Sequence, residues 1–356
     1  MLRKGTFILM KTKIQDMTSG SPGRLIILFA IPLMLGNICQ QLYTMVDTMV
    51  VGQVVGVEAL AALGAVDFLM WVVTGISTGL TQGFSIQLSQ YYGAKDFENL
   101  RKSLAHSYRL TAFIAAGVLI LSQSFASLVL TGLHTPSNII GMSLLYLRII
   151  FCGIPATAAY NMFASALRAM GNSKTPLTAM IIASVLNVSL DILFVAGFGW
   201  GVAGAAIATV IAQSFSAVYC FLILRRIDIV HLTRADFMPA SGMNARLMKL
   251  GIPVVFQNII IGVGGLVVQY VINGYGFLFV AGFTATNKLY GLLEMAAISY
   301  GYAIVTYVGQ NLGAGKIDRI RKGVRSSMLL SLLTSLIISA AMFLFGKKYS
   351  LTFHLR

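Results

Sequence analysis

Apolar residues in this chain run in long blocks separated by short polar connections. They do not alternate at the period of a strand or of a surface helix. The blocks cover roughly 25–50, 58–91, 104–131, 138–167, 176–196, 203–224, 251–273, 280–310 and 324–346. About 20 helical residues, at ~1.5 Å each, cross a ~30 Å hydrocarbon layer. Each block reaches that length, and those longer than about 25 residues are expected to tilt or to project from the bilayer. A backbone in lipid has to satisfy its own hydrogen bonds, and almost no strand pattern is visible. The pattern therefore predicts an all-α polytopic membrane protein with nine spans.

Composition agrees: 57% of the 356 residues are hydrophobic and only 10% are charged, against about 25% charged in soluble domains. The formal net charge of +15 does not point to nucleic acid, because the basic residues form short clusters between apolar blocks and no basic stripe interleaved with aromatics. With the N-terminus inside, 21 of the 26 basic residues fall in alternate connections and span ends: Arg3 to Arg24, Lys95 to Arg109, Arg168 and Lys174, Arg225 to Lys249, and Lys316 to Arg325. The opposite connections, near 53–57, 132–137, 197–202 and 274–279, hold none. This positive-inside bias puts the N-terminus in the cytoplasm. The basic N-terminus leads into a full-length span, so no cleavable signal is expected. Cys39, Cys152 and Cys220 lie inside apolar blocks with no CxxC spacing, and the four histidines show no paired spacing. Neither disulfides nor a histidine–cysteine metal site is expected.

The longest polar connection runs from Arg225 to Arg246 and divides the chain into two related parts. Arg24-Leu25 and Pro32 in the first part answer Arg246-Leu247 and Pro253 in the second. Gln90 to Ala94 answers Gln310 to Ala314, and Arg101-Lys102 answers Arg321-Lys322, with offsets of 221 for the proline and 220 for the later matches. Both copies begin on the same side, as parallel repeats do. The expected organisation is a cytoplasmic tail over 1–24, a six-helix first lobe over 25–224, a cytoplasmic linker over 225–250 and a partial second lobe of three helices over 251–356. The basic tail Lys347 to Arg356 falls where this topology predicts the outer side, which suggests a chain cut short after the ninth span.

Ionisable groups inside a bilayer are costly and are functional candidates. Four carboxylates fall in the blocks: Asp47, Asp67, Asp191 and Glu294. Asn187 and Asp191 stand four residues apart on one helical face, an arrangement able to share a proton or a bare cation. Counted at 1.5 Å per residue, Asp47 lies ~33 Å and Asp191 ~22 Å from the cytoplasmic side, and Thr209 ~10 Å from the outer side. All four groups then sit in the outer half of the first lobe, an oxygen-rich set suited to H⁺ or to a hard cation such as Na⁺. Competing readings are a helix cap for Asp47, an interhelical hydrogen bond for Asn187 and Asp191, and plain packing for Thr209. Asp67, Glu294 and Gln257 are candidates to line a substrate cavity. Lys288 is six residues before Glu294, about 600° around the helix, and does not stack on it. Arg148 reads as an anchoring or snorkelling residue. Pro32, Pro155 and Pro253 each free a backbone carbonyl inside a span and permit a bend.

In order along the chain, several short motifs resemble the multidrug and toxic compound extrusion transporters. They are Val46-Asp47-Thr48 with Gly52, Leu60 to Gly64, Gln90 to Ala94, Arg168 to Asn172 with Thr175-Pro176, Asn187 to Asp191, Gly201 to Ala206, and Gly309 to Gly315. The resemblance covers roughly 18–346. It implies a monomeric twelve-helix, two-lobe exporter of the bacterial cytoplasmic membrane. Such an exporter moves small lipophilic or cationic compounds outward by alternating access, in exchange for H⁺ or Na⁺, without a bound cofactor. It implies that Asp47, Asn187, Asp191 and Thr209 couple the ion. Some relatives use a carboxylate in the seventh helix, whereas the span over 251–273 offers only Gln257 and Gln269. A lipid-linked precursor flippase of the same superfamily would need several cavity cations, and only Arg148 and Lys288 lie deep in spans. A membrane-embedded enzyme would need a nucleophile with its base, or clustered ligands, and no span contains such a set.

Overall fold

Pro22 opens the first helix at a position where its missing N–H is not needed, and nearly all of the chain thereafter is helical in the computed structural model. The structure describes residues 14–132, 135–273 and 277–353, with side chains throughout these except at 67–68, 266, 269–270, 272–290, 292–293, 341–342 and beyond 343. The helices are α1 (Pro22–Val54), α2 (Val57–Gly93), α3 (Phe97–Gly132), α4 (Ile140–Cys152), α5 (Ile154–Ala169), α6 (Lys174–Asp191), α7 (Gly201–Leu224), α8 (Met243–Asn273), α9 (Phe277–Gly313) and α10 (Ile317–Phe353). No strand occurs among the described residues.

Each predicted block coincides with one helix or with a bent pair. The block over 138–167 is α4 and α5, bent by 46° where Gly153 precedes Pro155. Among the described residues, six helices are long and apolar enough to cross a membrane, and up to eight if each of two bent pairs is one span. The block over 280–310 lies in α9, much of which has side chains outside the described set. Helices overrun their blocks at the basic end: α3 begins at Phe97, seven residues before its apolar run. Hydropathy marks contact with lipid, whereas hydrogen bonding carries the helix on into water. Large apolar side chains such as Phe113 and Ile120 stay exposed on the helix surfaces, as expected where the surrounding solvent is lipid.

The repeat is visible in backbone detail. Asp96 and Lys316 close the same turn: Ala94 N bonds Gln90 O at 2.9 Å and Asp96 N bonds Tyr91 O at 3.0 Å, while Ala314 N bonds Gln310 O at 3.0 Å and Lys316 N bonds Asn311 O at 2.8 Å. The left-handed position of this turn is Lys95 in the first copy (φ 59°) and Gly315 in the second (φ 70°). The two copies also meet there reciprocally. A Cβ on Gly93 would overlap the backbone of Gln310, and one on Gly313 would overlap that of Gln90. Only glycine permits so close a backbone approach.

Around this contact α2 packs on α8, and α1 packs on α9 and α10. The second packing buries Ile26, Phe29, Ala30 and Leu33 against Tyr300, Ala303 and Tyr307. Asn37 donates to Ser299 Oγ at 3.1 Å, and Asn258 of α8 donates to the Gly75 carbonyl of α2 at 3.1 Å. At the basic end the segment 14–20 is strapped across both copies. Gln15 N bonds Gly171 O at 3.1 Å. Met17, fully buried, donates its N–H to Gln310 Oε1 at 3.1 Å and accepts at its carbonyl from Asn311 at 2.9 Å. Gln310 also donates to Ala169 O at 2.8 Å, Lys316 to Thr18 O at 2.9 Å and Arg319 to Gly20 O at 2.9 Å. Arg168, at the end of α5, lies 4.6 Å from the Tyr302 ring centre of α9.

Candidate functional site

The four residues expected to couple an ion come from three helices of the first lobe. Asp47 lies in the last turns of α1, Asn187 and Asp191 at the end of α6, and Thr209 in α7. Asn187 and Asp191 are completely buried, and Asp47 is 5% exposed. Asn187 Nδ2 reaches Thr209 Oγ1 at 3.4 Å, joining α6 to α7. Asp47 lies within electrostatic range of Asp191, joining α1 to α6. Both Asp191 oxygens and Asn187 Oδ1 are buried with no hydrogen-bond donor among the described residues.

Buried acceptors normally find donors. Buried acceptors of Asp191 and Asn187 without donors, with Asp47 in electrostatic range, fit a proton or an oxygen-seeking cation. The donor set is hard: two carboxylates, an amide oxygen and a hydroxyl. Among the described residues no group of three His, Cys, Asp or Glu stands together as a transition-metal site would require. Cys39, Cys152 and Cys220 are free thiols.

Local structure places Asp191 in a way that the sequence did not signal. It is the last residue of α6, and the chain continues from it as a π-helical segment, Ile192–Gly197. Such segments are rare and recur at functional sites. This one is held from outside: Phe194, Phe198 and Trp200 form a ring cluster with centroids 5.0–5.9 Å apart. Trp200 N bonds Phe194 O at 2.9 Å. Gly204 of α7 lets the segment in, since a Cβ there would come within 3.0–3.2 Å of Phe194.

Two neighbours were missed as well. Tyr43 stands one turn before Asp47 and within its electrostatic range, and Gln213, one turn beyond Thr209, donates to the Tyr43 hydroxyl oxygen at 3.3 Å. The i, i+4 spacings of 43 with 47 and of 209 with 213 are the only sequence trace of this pairing.

Glu294 and Gln257 are not brought into this cluster. Glu294 is half-buried on α9 and Gln257 is exposed on α8, both in the other copy of the repeat. The α8 amide that engages the first lobe is Asn258, the next residue along. The Asp67 side chain lies outside the described residues. Arg148 is exposed on α4, which suits a snorkelling side chain.

A family model described as MatE matches residues 32–193 and 253–355. The probable multidrug resistance protein YpnP of Bacillus subtilis is 32% identical over 308 residues, covering 86% of this chain and 69% of its own length. The probable multidrug resistance protein NorM of Thermotoga maritima is 26% identical, covering 90% of this chain and 70% of its own. A solved structure of a MOP superfamily transporter from Pyrococcus furiosus superposes with a TM-score of 0.91 at 23% identity, over 97% of this chain and 77% of that one. An outward-facing multidrug resistance MATE family transporter gives 0.90, over 96% and 76%; both share the fold. With the family model matching both copies of the repeat and so similar a relative alongside it, the chain belongs to the MatE family, the multidrug and toxic compound extrusion transporters.

Proposed function

We propose that the protein is a secondary antiporter that exports lipophilic or cationic small molecules in exchange for H⁺ or Na⁺. The observation that carries this is the acid pair: Asp191 fully buried, its oxygens without donors, and Asp47 within its electrostatic range. Two buried carboxylates in one low-dielectric site repel, and one proton or Na⁺ between them relieves the repulsion. We place the basic end in the cytoplasm and the acid pair toward the outside. Ion occupancy then changes with the side to which the site opens.

Occupancy can be transmitted because α1 belongs to both regions. Its later half carries Asp47, and its earlier half packs on α9 and α10. Pro32, within the packed stretch that runs on to Asn37, leaves one carbonyl without its helical partner and permits α1 to bend. An ion that draws α1 toward α6 therefore acts on the contact between lobes. It shifts the population of outward and inward states only through its different affinity for each.

The test is dye efflux from cells or vesicles making the full chain, with Asp47→Asn and Asp191→Asn. Each change removes a titratable group at nearly constant volume, and efflux should fall at least tenfold in both with surface expression unchanged. Normal efflux in both variants would refute the coupling role.

A further inference from the structure

A cavity of about 250 Å³ opens at the basic end, apart from the acid pair and from the contact between lobes. Tyr108 of α3, Phe221 and Leu224 of α7, and Phe237 of the linker form its walls, and Arg225 and His231 stand at its mouth. The walls are braced. Phe163 sits between the Tyr108 and Phe221 rings, with centroids 5.3 and 5.2 Å away. Arg109 donates to the Phe237 carbonyl at 2.9 Å, fixing the linker side. The Arg225 guanidinium lies 5.6 Å from the Phe221 ring centre, poised where the apolar wall meets the exposed rim.

The local charge balance is positive. Arg101, Arg109, Arg225, Arg226 and Arg234 come from the elements around the cavity, against Asp228 and Asp236, with the His231 ring beside them. Asp236 is already engaged by the Thr233 N–H and hydroxyl at 2.7 and 2.8 Å and by Arg101 at 3.7 Å. Arg225 follows the last residue of α7 directly, at the depth where a span leaves hydrocarbon. Arg225 and His231 are both exposed.

We propose that this cavity binds an anionic phospholipid of the leaflet at the basic end. Arg225 and His231 hold the headgroup phosphate, and the glycerol and upper acyl carbons lie against Phe221, Tyr108 and Phe237. The chemistry selects this ligand. Apolar, aromatic walls give a bare inorganic anion nothing to pack on. A cationic rim repels the organic cations proposed as cargo. Basic pockets between spanning helices at the membrane surface are suited to anionic headgroups. The assignment does not depend on antiport.

The experiment is native mass spectrometry of the purified full chain, stripped of lipid and then given phosphatidylglycerol, phosphatidylcholine or inorganic phosphate at equal concentration. One phosphatidylglycerol should be retained at collision energies that remove phosphatidylcholine. The double variant Arg225→Gln with His231→Gln should retain at least tenfold less, and Phe221→Ala should weaken retention as well. Arg321→Ala, exposed on α10 away from the cavity, should leave it unchanged. A matching lipid-free thermal midpoint shows that a variant is folded. If the glutamine pair does not fold, Arg225→Met with His231→Asn replaces it, removing the charge while keeping the apolar stem, with the same expected loss. Equal retention of the two lipids, or undiminished retention in the folded double variant, would overturn the proposal. Displacement of phosphatidylglycerol by an equal concentration of inorganic phosphate would assign the cavity to soluble anions and overturn it too.

Discussion

Asn311 is the residue through which the strap over 14–20 can be loosened with least disturbance elsewhere. Its side chain is fully buried and makes three hydrogen bonds: to Met17 O at 2.9 Å, to Tyr307 O at 2.8 Å, and from Arg319 Nε at 3.0 Å. A neutral bond contributes about 0.5–1.5 kcal/mol net, and one to a charged group about 1.5–3. The Tyr307 carbonyl is also placed to accept within α9, so its loss costs little. Met17 O keeps a long contact of 3.4 Å from Arg319, which softens the second loss. Asn311→Ala should therefore cost about 2–3 kcal/mol. Because the strap touches both lobes, that cost falls on the arrangement in which they meet at the basic end. At about 1.4 kcal/mol per tenfold, the strap should open roughly 30- to 150-fold more often. Amide hydrogen exchange of a peptide covering residues 14–21 reads this directly, at Met17 N–H above all, since it bonds Gln310 Oε1. Loss of protection confined to this peptide and to the Gly171 turn is the expected result. Unchanged exchange there, or loss spread evenly over the whole chain, would refute the reasoning.

Lys95 holds a left-handed conformation that Gly315 occupies in the second copy. A side chain there costs about 1–2 kcal/mol, partly offset by the greater freedom of glycine in the unfolded chain. Lys95→Gly should thus raise stability by about 0.5–1 kcal/mol, seen as a higher thermal midpoint in detergent. Gly313→Val drives a branched side chain into the Gln90 backbone. It should cost about 3 kcal/mol or more, with loss of folded protein on size-exclusion chromatography. Partial burial works to raise the Asp16 carboxyl, but bonds from Thr18 N–H at 2.8 Å and Ser19 at 3.1 Å, with the Lys316 charge, outweigh it and hold it below its ordinary 3.8. A carboxylate lowered on folding stabilises above its unfolded value and ceases to as pH falls through the folded one. Exchange at Thr18 should therefore rise only below about pH 4 in the native protein, and Asp16→Asn should abolish that step.

Among the described residues six helices, or up to eight with the bent pairs, meet the length and hydropathy of a span, against nine blocks. The order and rough extent of the helices were nonetheless legible because lipid imposes a simple rule. Any stretch crossing it has to be helical and apolar over about 20 residues, so the blocks around Pro32, Pro155 and Pro253 announced themselves. The repeat was legible too, since Gln90 to Ala94 and Gln310 to Ala314 preserve the same turn. Candidate acids were found for the same reason: a charge in an apolar block stands out. What a linear pattern could not carry was anything defined by two elements at once. The reciprocal approach of Gly93 and Gly313, the strap around Met17 and the pairing of Tyr43 with Gln213 are invisible until helices pack. The π-helical turn after Asp191 depends on Phe194 pressing against Gly204. Sequence by itself thus determined which segments are helical and apolar enough to enter a membrane and which acids they carry, because transfer into lipid is a property of each segment alone. Tertiary structure decided which oxygens face one another and which backbones touch, because those are relations between helices far apart in the chain, set by shape and distance and not by hydropathy.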